Sequence, residues 1–293
     1  MTMLAMRNKL RRLRRISISR ALLFAVLTAV AVFMLLPIVF IINNAFKPFN
    51  ELFLFPPTFL VKQPTWTNFS TLFLVSSGGT IPFTRYLFNS VLISSITLVC
   101  VILASSLAGY VLSKHRFPFK SLIFSLILVS LMFAPETVGI PRYLVISGLG
   151  LNNTYFGHVL PFLASTVGVF LMKQFIDQVP DALLEAGKLD GASEFGLFTR
   201  IVMPICFPAI ATISILTFQA VWMDTEASTL YMQDETMKTL PYYVLTLTNG
   251  LQNSVAGQGM AAAAGLLIFL PNLIIFLLFQ KKVMETMVHS GVK

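Results

Sequence analysis

The sequence predicts an all-α integral membrane protein with six transmembrane helices. Two observations carry the helical membrane part. Of 293 residues, 56% are hydrophobic and 11% charged, far below the roughly 25% charged residues of a soluble domain. Apolar stretches also recur along the whole chain, each close to the about 20 residues needed to cross roughly 30 Å of hydrocarbon. In lipid the backbone must satisfy its own polar groups, and no run of alternating ten-residue barrel strands is visible, so the stretches are read as helices.

The first run, 21–42, holds 22 residues without a charge. It exceeds the about 7–15 residues of a signal-peptide core, and no small-x-small cleavage site follows, so it is read as retained. The other runs are 87–112, 121–141, 155–172, 201–222 and 259–280. Pro37, Pro135, Pro161, Pro204, Pro208 and Pro271 lie in or near them and predict bent helices. The loop 43–86 is too polar and Pro-broken to span. The segment 223–258 carries Asp224, Glu226, Asp234 and Glu235 against Lys238 and predicts an acidic surface. The chain is thus divided into a basic N-terminal segment 1–20, a single membrane domain 21–280 and a tail 281–293.

Placement of Lys and Arg predicts orientation. With the N-terminus inside, sixteen of the 21 basic residues fall in cytoplasmic segments, seven of them between Arg7 and Arg20. Both termini are therefore expected in the cytoplasm of a cell whose plasma membrane the chain crosses several times. The same distribution explains the net charge of +9 as a topology anchor against anionic membrane lipid, with no nucleic-acid partner required.

Catalytic chemistry is thinned by missing patterns. No G-x-x-x-x-G-K-[ST] loop is present to cradle phosphates. His115, His158 and His289 have no ligand-spaced neighbours that would hold a metal. Cys100 and Cys206 lie within apolar stretches and read as small buried thiols. Glu136 is the main ionisable residue near a span, at its outer end, where it is expected to reach interfacial water. The chain is read as non-enzymatic, without a cofactor of its own, and as drawing transport energy from a partner.

The loop 173–200 departs from the charge rule, since Asp177, Asp181, Glu185, Asp190 and Glu194 outnumber Lys173, Lys188 and Arg200. Pro180 and Asp181 suit the start of a helix on which Leu183, Leu184, Gly187 and Leu189 share an apolar side. Asp190 and Gly191 supply a turn, and Ser193 caps a second short helix through Phe195 and Phe198. The result is a knob bearing small residues at Ala186, Gly187, Gly191 and Ala192. By its residues alone it is either a docking element or a surface hairpin.

The run Glu185, Ala186, Gly187, Lys188, Leu189, Asp190, Gly191, Ala192, followed by Pro204 and Pro208, resembles the E-A-A-x-x-x-G loop of permease subunits of bacterial binding-protein-dependent ABC importers. It is most similar to their carbohydrate-uptake class. Arg85 and Tyr86, Asn89 and Ser90, Tyr110, Arg116 and Phe117, Pro141, and the series Gly150, Leu151, Asn152, Asn153 and Thr154 extend the likeness over nearly the whole chain. The resemblance implies the ABC importer type I permease fold, with residues 185–192 forming a coupling helix carried chiefly by Glu185, Ala186, Gly187, Asp190, Gly191 and Ala192. It would be received by a separate ABC ATPase dimer that binds ATP and Mg. It further implies a second homologous permease subunit, an extracytoplasmic solute-binding protein, and a path for a sugar or oligosaccharide between the two permeases. Two departures stand out: Gly187 replaces an alanine, and Trp222 is followed by Met223 and Asp224 where the family often has W-N. The terminal Gly291, Val292 and Lys293 resemble a short ATPase-touching tail. Permeases for amino acids, peptides or ions share similar loops, and an ion-coupled carrier or a membrane scaffold remain alternatives. Asn89, Ser94 and Ser105 read equally as path-lining groups or as interhelical hydrogen bonds.

Overall fold

A computed structural model of the chain describes residues 18–56, 58–77, 81–251 and 255–291. The arginine cluster before residue 16, together with Val292 and Lys293, lies outside them. The described residues form helices α1 (Ile18–Phe46), α2 (Phe49–Leu52), α3 (Thr67–Ser77), α4 (Phe83–Lys114), α5 (Lys120–Ser130), α6 (Gly139–Gly148), α7 (Tyr155–Leu163) and α8 (Thr166–Asp177). The second half comprises α9 (Asp181–Leu189), α10 (Glu194–Leu197), α11 (Met203–Ile205), α12 (Phe207–Trp222), α13 (Glu226–Leu230), α14 (Leu240–Leu251) and α15 (Val255–Gly291).

Among the described residues four stretches are long and apolar enough to cross a membrane: Ser19–Phe46 in α1, α4, Phe207–Leu230, and Gly257–Lys281 in α15; the number rises to six if two bent pairs each count as one span. The third expected span is therefore not a straight helix. Its first part, α5, has 11 residues, about 16 Å at 1.5 Å per residue, half the hydrocarbon thickness. The chain then restarts at a 3-10 turn, Pro135–Val138, and runs on into α6 at 110° to α5. Pro135 cannot donate to a helical ladder, which favours a new start there. The fourth expected span is broken at Ala164 and Ser165, with a 46° bend between α7 and α8. Ser165 caps α8, its hydroxyl accepting from the Gly168 amide at 3.1 Å. Before α12 the chain widens into a π-turn, Phe198–Val202, and restarts twice. Pro204 and Pro208 each lack the amide a continuous helix would need. The tail 281–291 continues α15 without interruption.

α4 packs chiefly against α8, α12 and α7. One apolar cluster joins Val101 and Tyr110 of α4 to Met172 and Ile176 of α8, Leu184, Phe198 and Ile213. A second joins Phe83 and Tyr86 to Leu72, Trp222, Leu240 and Ala264. Between α4 and α8 the backbones approach at Gly109, where a Cβ would stand 2.8 Å from the Met172 Cβ. Small residues at such crossings allow the van der Waals contact that drives association in lipid. By contrast α1 leaves its apolar length exposed, with Phe33 73% accessible, a surface suited to hydrocarbon.

Candidate functional site

The knob between α8 and α12 is held to the end of α4 by a polar cluster. Lys114 ends α4 and donates to the Val179 carbonyl at 2.6 Å and to Asp181 at 2.7 Å. Asp181, in the first turn of α9, also faces the positive end of that helix. Lys188 pairs with Glu194 at 2.7 Å, and the Tyr110 hydroxyl donates to the same carboxylate at 2.9 Å. α9, the turn and α10 are thereby fixed to one transmembrane helix. The Lys114 ammonium holds the Asp181 carboxyl below its ordinary 3.8. Lys188, with Tyr110 second, holds Glu194 below 4.5. Because both carboxyls are depressed in the folded state, their contribution to stability is complete above those ordinary values and is lost as the pH falls through the depressed ones. A detergent-solubilised sample is thus expected to keep these contacts from pH 7 to pH 5 and to lose amide protection, measured against the intrinsic exchange rate at each pH, across 181–197 below about pH 4.

The surface of the knob differs from a simple apolar-side reading. Of the four residues expected to share a face, Leu184 is buried and Gly187 half-buried, whereas Leu183 is 45% and Leu189 89% exposed. Glu185, Ala186, Asp190 and Gly191 are exposed on the same outward surface, and Phe195 adds a ring that is 70% accessible. Gly187 and Ala192 turn toward the bundle, where a Cβ on Gly187 would stand 2.6 Å from Leu197 Cδ2. The turn is made as expected: Gly191 has φ +80°, a conformation glycine adopts without penalty. The Ser193 hydroxyl accepts from Gly196 N at 3.2 Å and caps α10. A polar cleft of about 520 Å³ between α4 and the knob is lined by Lys114, His115, Arg116, Lys120 and Glu185 among others.

At the opposite end of the bundle, residues of α4 and α7 grip the segment 231–240. Asn89 is fully buried and donates to the carbonyls of Thr236 and Lys238, both at 2.8 Å. Arg85 donates to the Thr236 carbonyl at 2.9 Å and to the Tyr155 hydroxyl at 3.0 Å, and that hydroxyl donates to Asn89 Oδ1. Ser90 accepts from Leu240 N at 2.8 Å. His158, 1% exposed, donates through Nε2 to the Met237 carbonyl at 3.1 Å. Gly150 (φ +67°) and Asn153 (φ +59°) both sit in left-handed conformations, which asparagine tolerates better than most residues. Asn153 then exchanges bonds with Tyr231 and Asp234. Asn89 is therefore an interhelical hydrogen-bonding residue. Replacing it by Leu leaves the Lys238 carbonyl without its partner, at about 1–3 kcal/mol, while Arg85 still serves the Thr236 carbonyl; a lowered melting temperature and faster proteolysis within 231–240 are the expected readouts.

The expected acidic surface at this end is largely paired off. Glu226 faces Arg142 at 3.8 Å, Glu235 is bonded to Lys238, and Asp224, just before α13, accepts from Ala227 N at 3.1 Å. The loop 43–86, expected not to span, folds around Glu51, which accepts from the Lys62 and Gln63 amides at 3.1 and 2.9 Å. Glu136 is exposed in its 3-10 turn. Cys206 is buried and Cys100 half-buried, both as free thiols.

Residues 101–281 match the family described as the binding-protein-dependent transport system inner membrane component. The chain belongs to that family. It is a multi-pass membrane protein of the ABC transporter permease class, and the matched region runs from mid-α4 through the knob into α15. Among its relatives, the arabinooligosaccharides transport system permease protein AraQ of Bacillus subtilis is 32% identical, covering 88% of this chain and 90% of its own. The sn-glycerol-3-phosphate transport system permease protein UgpE of Pectobacterium atrosepticum is 31% identical, over 82% and 86%. In fold, the chain is similar to a subunit of a crystallised bacterial ABC transporter involved in the import of the acidic polysaccharide alginate, with a TM-score of 0.78 and 19% identity over 91% of this chain and 98% of that one. Within the family's pattern, Phe218 and Trp222 are stacked at 5.3 Å and the Trp222 indole donates to the Ile268 carbonyl at 3.1 Å. The aromatic pair thus holds α12 to α15 beside the point where Met223 and Asp224 depart from W-N.

Proposed function

We propose that the chain is one of two homologous permease subunits of an ATP-driven importer of a sugar or oligosaccharide. Support for the cargo comes from relatives whose names specify arabino-oligosaccharide transport. The observation that carries the mechanism is the outward-facing set Glu185, Ala186, Leu189, Asp190 and Gly191, fixed to α4 through Lys114 and Tyr110. An apolar Leu189 ringed by carboxylates on a rigid helical knob suits a cleft on a partner. That partner is an ABC ATPase dimer, which holds ATP and Mg; this chain is non-catalytic.

In this reading the two bent pairs each count as one span, giving six, with both termini and the knob in the cytoplasm. An extracytoplasmic solute-binding protein delivers the sugar to the end formed by 43–86 and 223–258. Closure of the ATPase dimer displaces the knob, α4 carries the displacement, and the gripped segment 231–240 moves at the far end. Alternating access then follows between this subunit and its sister, with no ion gradient required. The deciding experiment is uptake of radiolabelled arabinotriose into proteoliposomes holding the complete complex and its solute-binding protein. Accumulation that needs internal ATP and persists in the presence of ionophores is expected. Accumulation that collapses with ionophores and ignores ATP would overturn the reading in favour of an ion-coupled carrier.

A further inference from the structure

At the break between α7 and α8 lies a cavity of about 340 Å³, in the size range of small-molecule sites. Phe162, Ser165, Thr166, Gly168, Leu216 and Thr217 contribute to its wall, and no lining side chain is charged. Thr217 is 8% exposed. Two other hydroxyls of α12, Thr212 and Ser214, satisfy themselves on carbonyls four residues back, at 3.1 and 2.7 Å. Thr217 makes no such bond and none to any other described residue, which leaves a free hydroxyl on a largely buried residue bordering the cavity. Opposite it, α8 begins. The first amides of a helix have no helical acceptor. Gly168 N is taken by Ser165 Oγ and Val169 N by the Ser165 carbonyl, so the amides of Thr166 and Val167 remain as donors on the same wall. Behind Gly168, Ser105 is 1% exposed and its hydroxyl also lacks a partner. Gly168 keeps this wall thin, since a Cβ there would meet Ser105 Oγ at 2.4 Å.

We propose that this cavity is a subsite for a neutral saccharide in transit, with the Thr217 hydroxyl and the Thr166 and Val167 amides bonding its hydroxyls and Phe162 forming an apolar wall for a ring. The inference rests on the sugar-import reading and narrows it to uncharged substrates. A carboxylate or phosphate would find only the partial positive charge of the α8 N-terminus and no cationic side chain to pair with, whereas hydroxyls need only the partners present.

The test places Thr217→Cys in the complete importer in nanodiscs and follows its reaction with a small neutral thiol reagent by mass spectrometry at position 217. At about ten times its half-saturating concentration, arabinotriose is expected to slow the reaction about ten-fold, as site occupancy dictates, while an alginate trisaccharide leaves the rate unchanged. Equal protection by both, protection by neither, or no labelling because a helix of the sister subunit fills the cavity would each overturn the proposal. Should Thr217→Cys fail to insert, Ser165→Cys carries the same readout. Uptake by the unsubstituted complex separates the two levels. Without it the import reading itself fails, and with it an unprotected cysteine refutes the subsite alone.

Discussion

Replacing Gly191 by Asp is expected to reduce ATP-driven uptake by about a hundred-fold while the subunit still folds and inserts, the equivalent of about 3 kcal/mol of lost docking energy. The folded chain offers little reason for damage. Nothing lies within 4 Å of a Cβ at this position, and although φ +80° strains any side chain, aspartate tolerates the left-handed region better than most. Most of the cost therefore falls outside the chain. In the proposed coupling a new carboxylate beside Asp190 would be buried unpaired against the ATPase, and a truncated or mispaired charge at an interface costs about 2–5 kcal/mol. Glu185→Lys is expected to act alike from the exposed face of α9 by reversing a charge. The check is co-purification of the ATPase together with uptake, normalised to the inserted subunit. Normal transport by both variants would remove the knob from the coupling path.

The second large effect is expected at the α4–α8 crossing. Gly109→Val should abolish the folded subunit in detergent, because even a first carbon would stand 2.8 Å from Met172 Cβ and 3.1 Å from the backbone nitrogen of Lys173. Neither atom belongs to a flexible side-chain end, so the helices must separate. Separation loosens the buried set around Met172 and Ile176. Overpacking costs about 1–3 kcal/mol when a core can adjust, and a backbone contact leaves little room to adjust. Gly265→Ala is the control. Nothing lies within 4 Å of its Cβ, and the exchange should raise the melting temperature slightly through helix propensity, by up to about 1 kcal/mol. Size-exclusion profiles and thermal melts of the two variants beside the parent give the answer, and equal profiles would show that the crossing is not tight.

The membrane class, the helical character of the apolar runs and the knob were legible in the sequence because each rests on local chemistry. Run length and charge content are set residue by residue, and Pro180, Asp181, Gly191 and Ser193 act within one or two turns of where they stand. The turn at Gly191 and the Ser193 cap form for those local reasons. What failed locally was continuity. Residues 121–141 read as one span because hydropathy does not register direction, and the 110° turn after α5 leaves composition unchanged.

Only the tertiary structure decided what the buried polar residues do. Asn89 reaches carbonyls 147 and 149 positions away, and Tyr110 meets Glu194 across 84; no periodicity or spacing encodes such pairs. The same holds for Leu189, which belongs to an apolar side by helical period yet faces outward because Leu184 and Gly187 occupy the packing surface. The sequence by itself determined that this chain lives in a membrane as helices and carries a capped acidic knob, since solvation and local hydrogen bonding suffice for that. Which end of α4 holds the knob, which grips 231–240, and where an unpartnered Thr217 borders a cavity were decided by three-dimensional packing, because each depends on groups that meet only after the chain has folded.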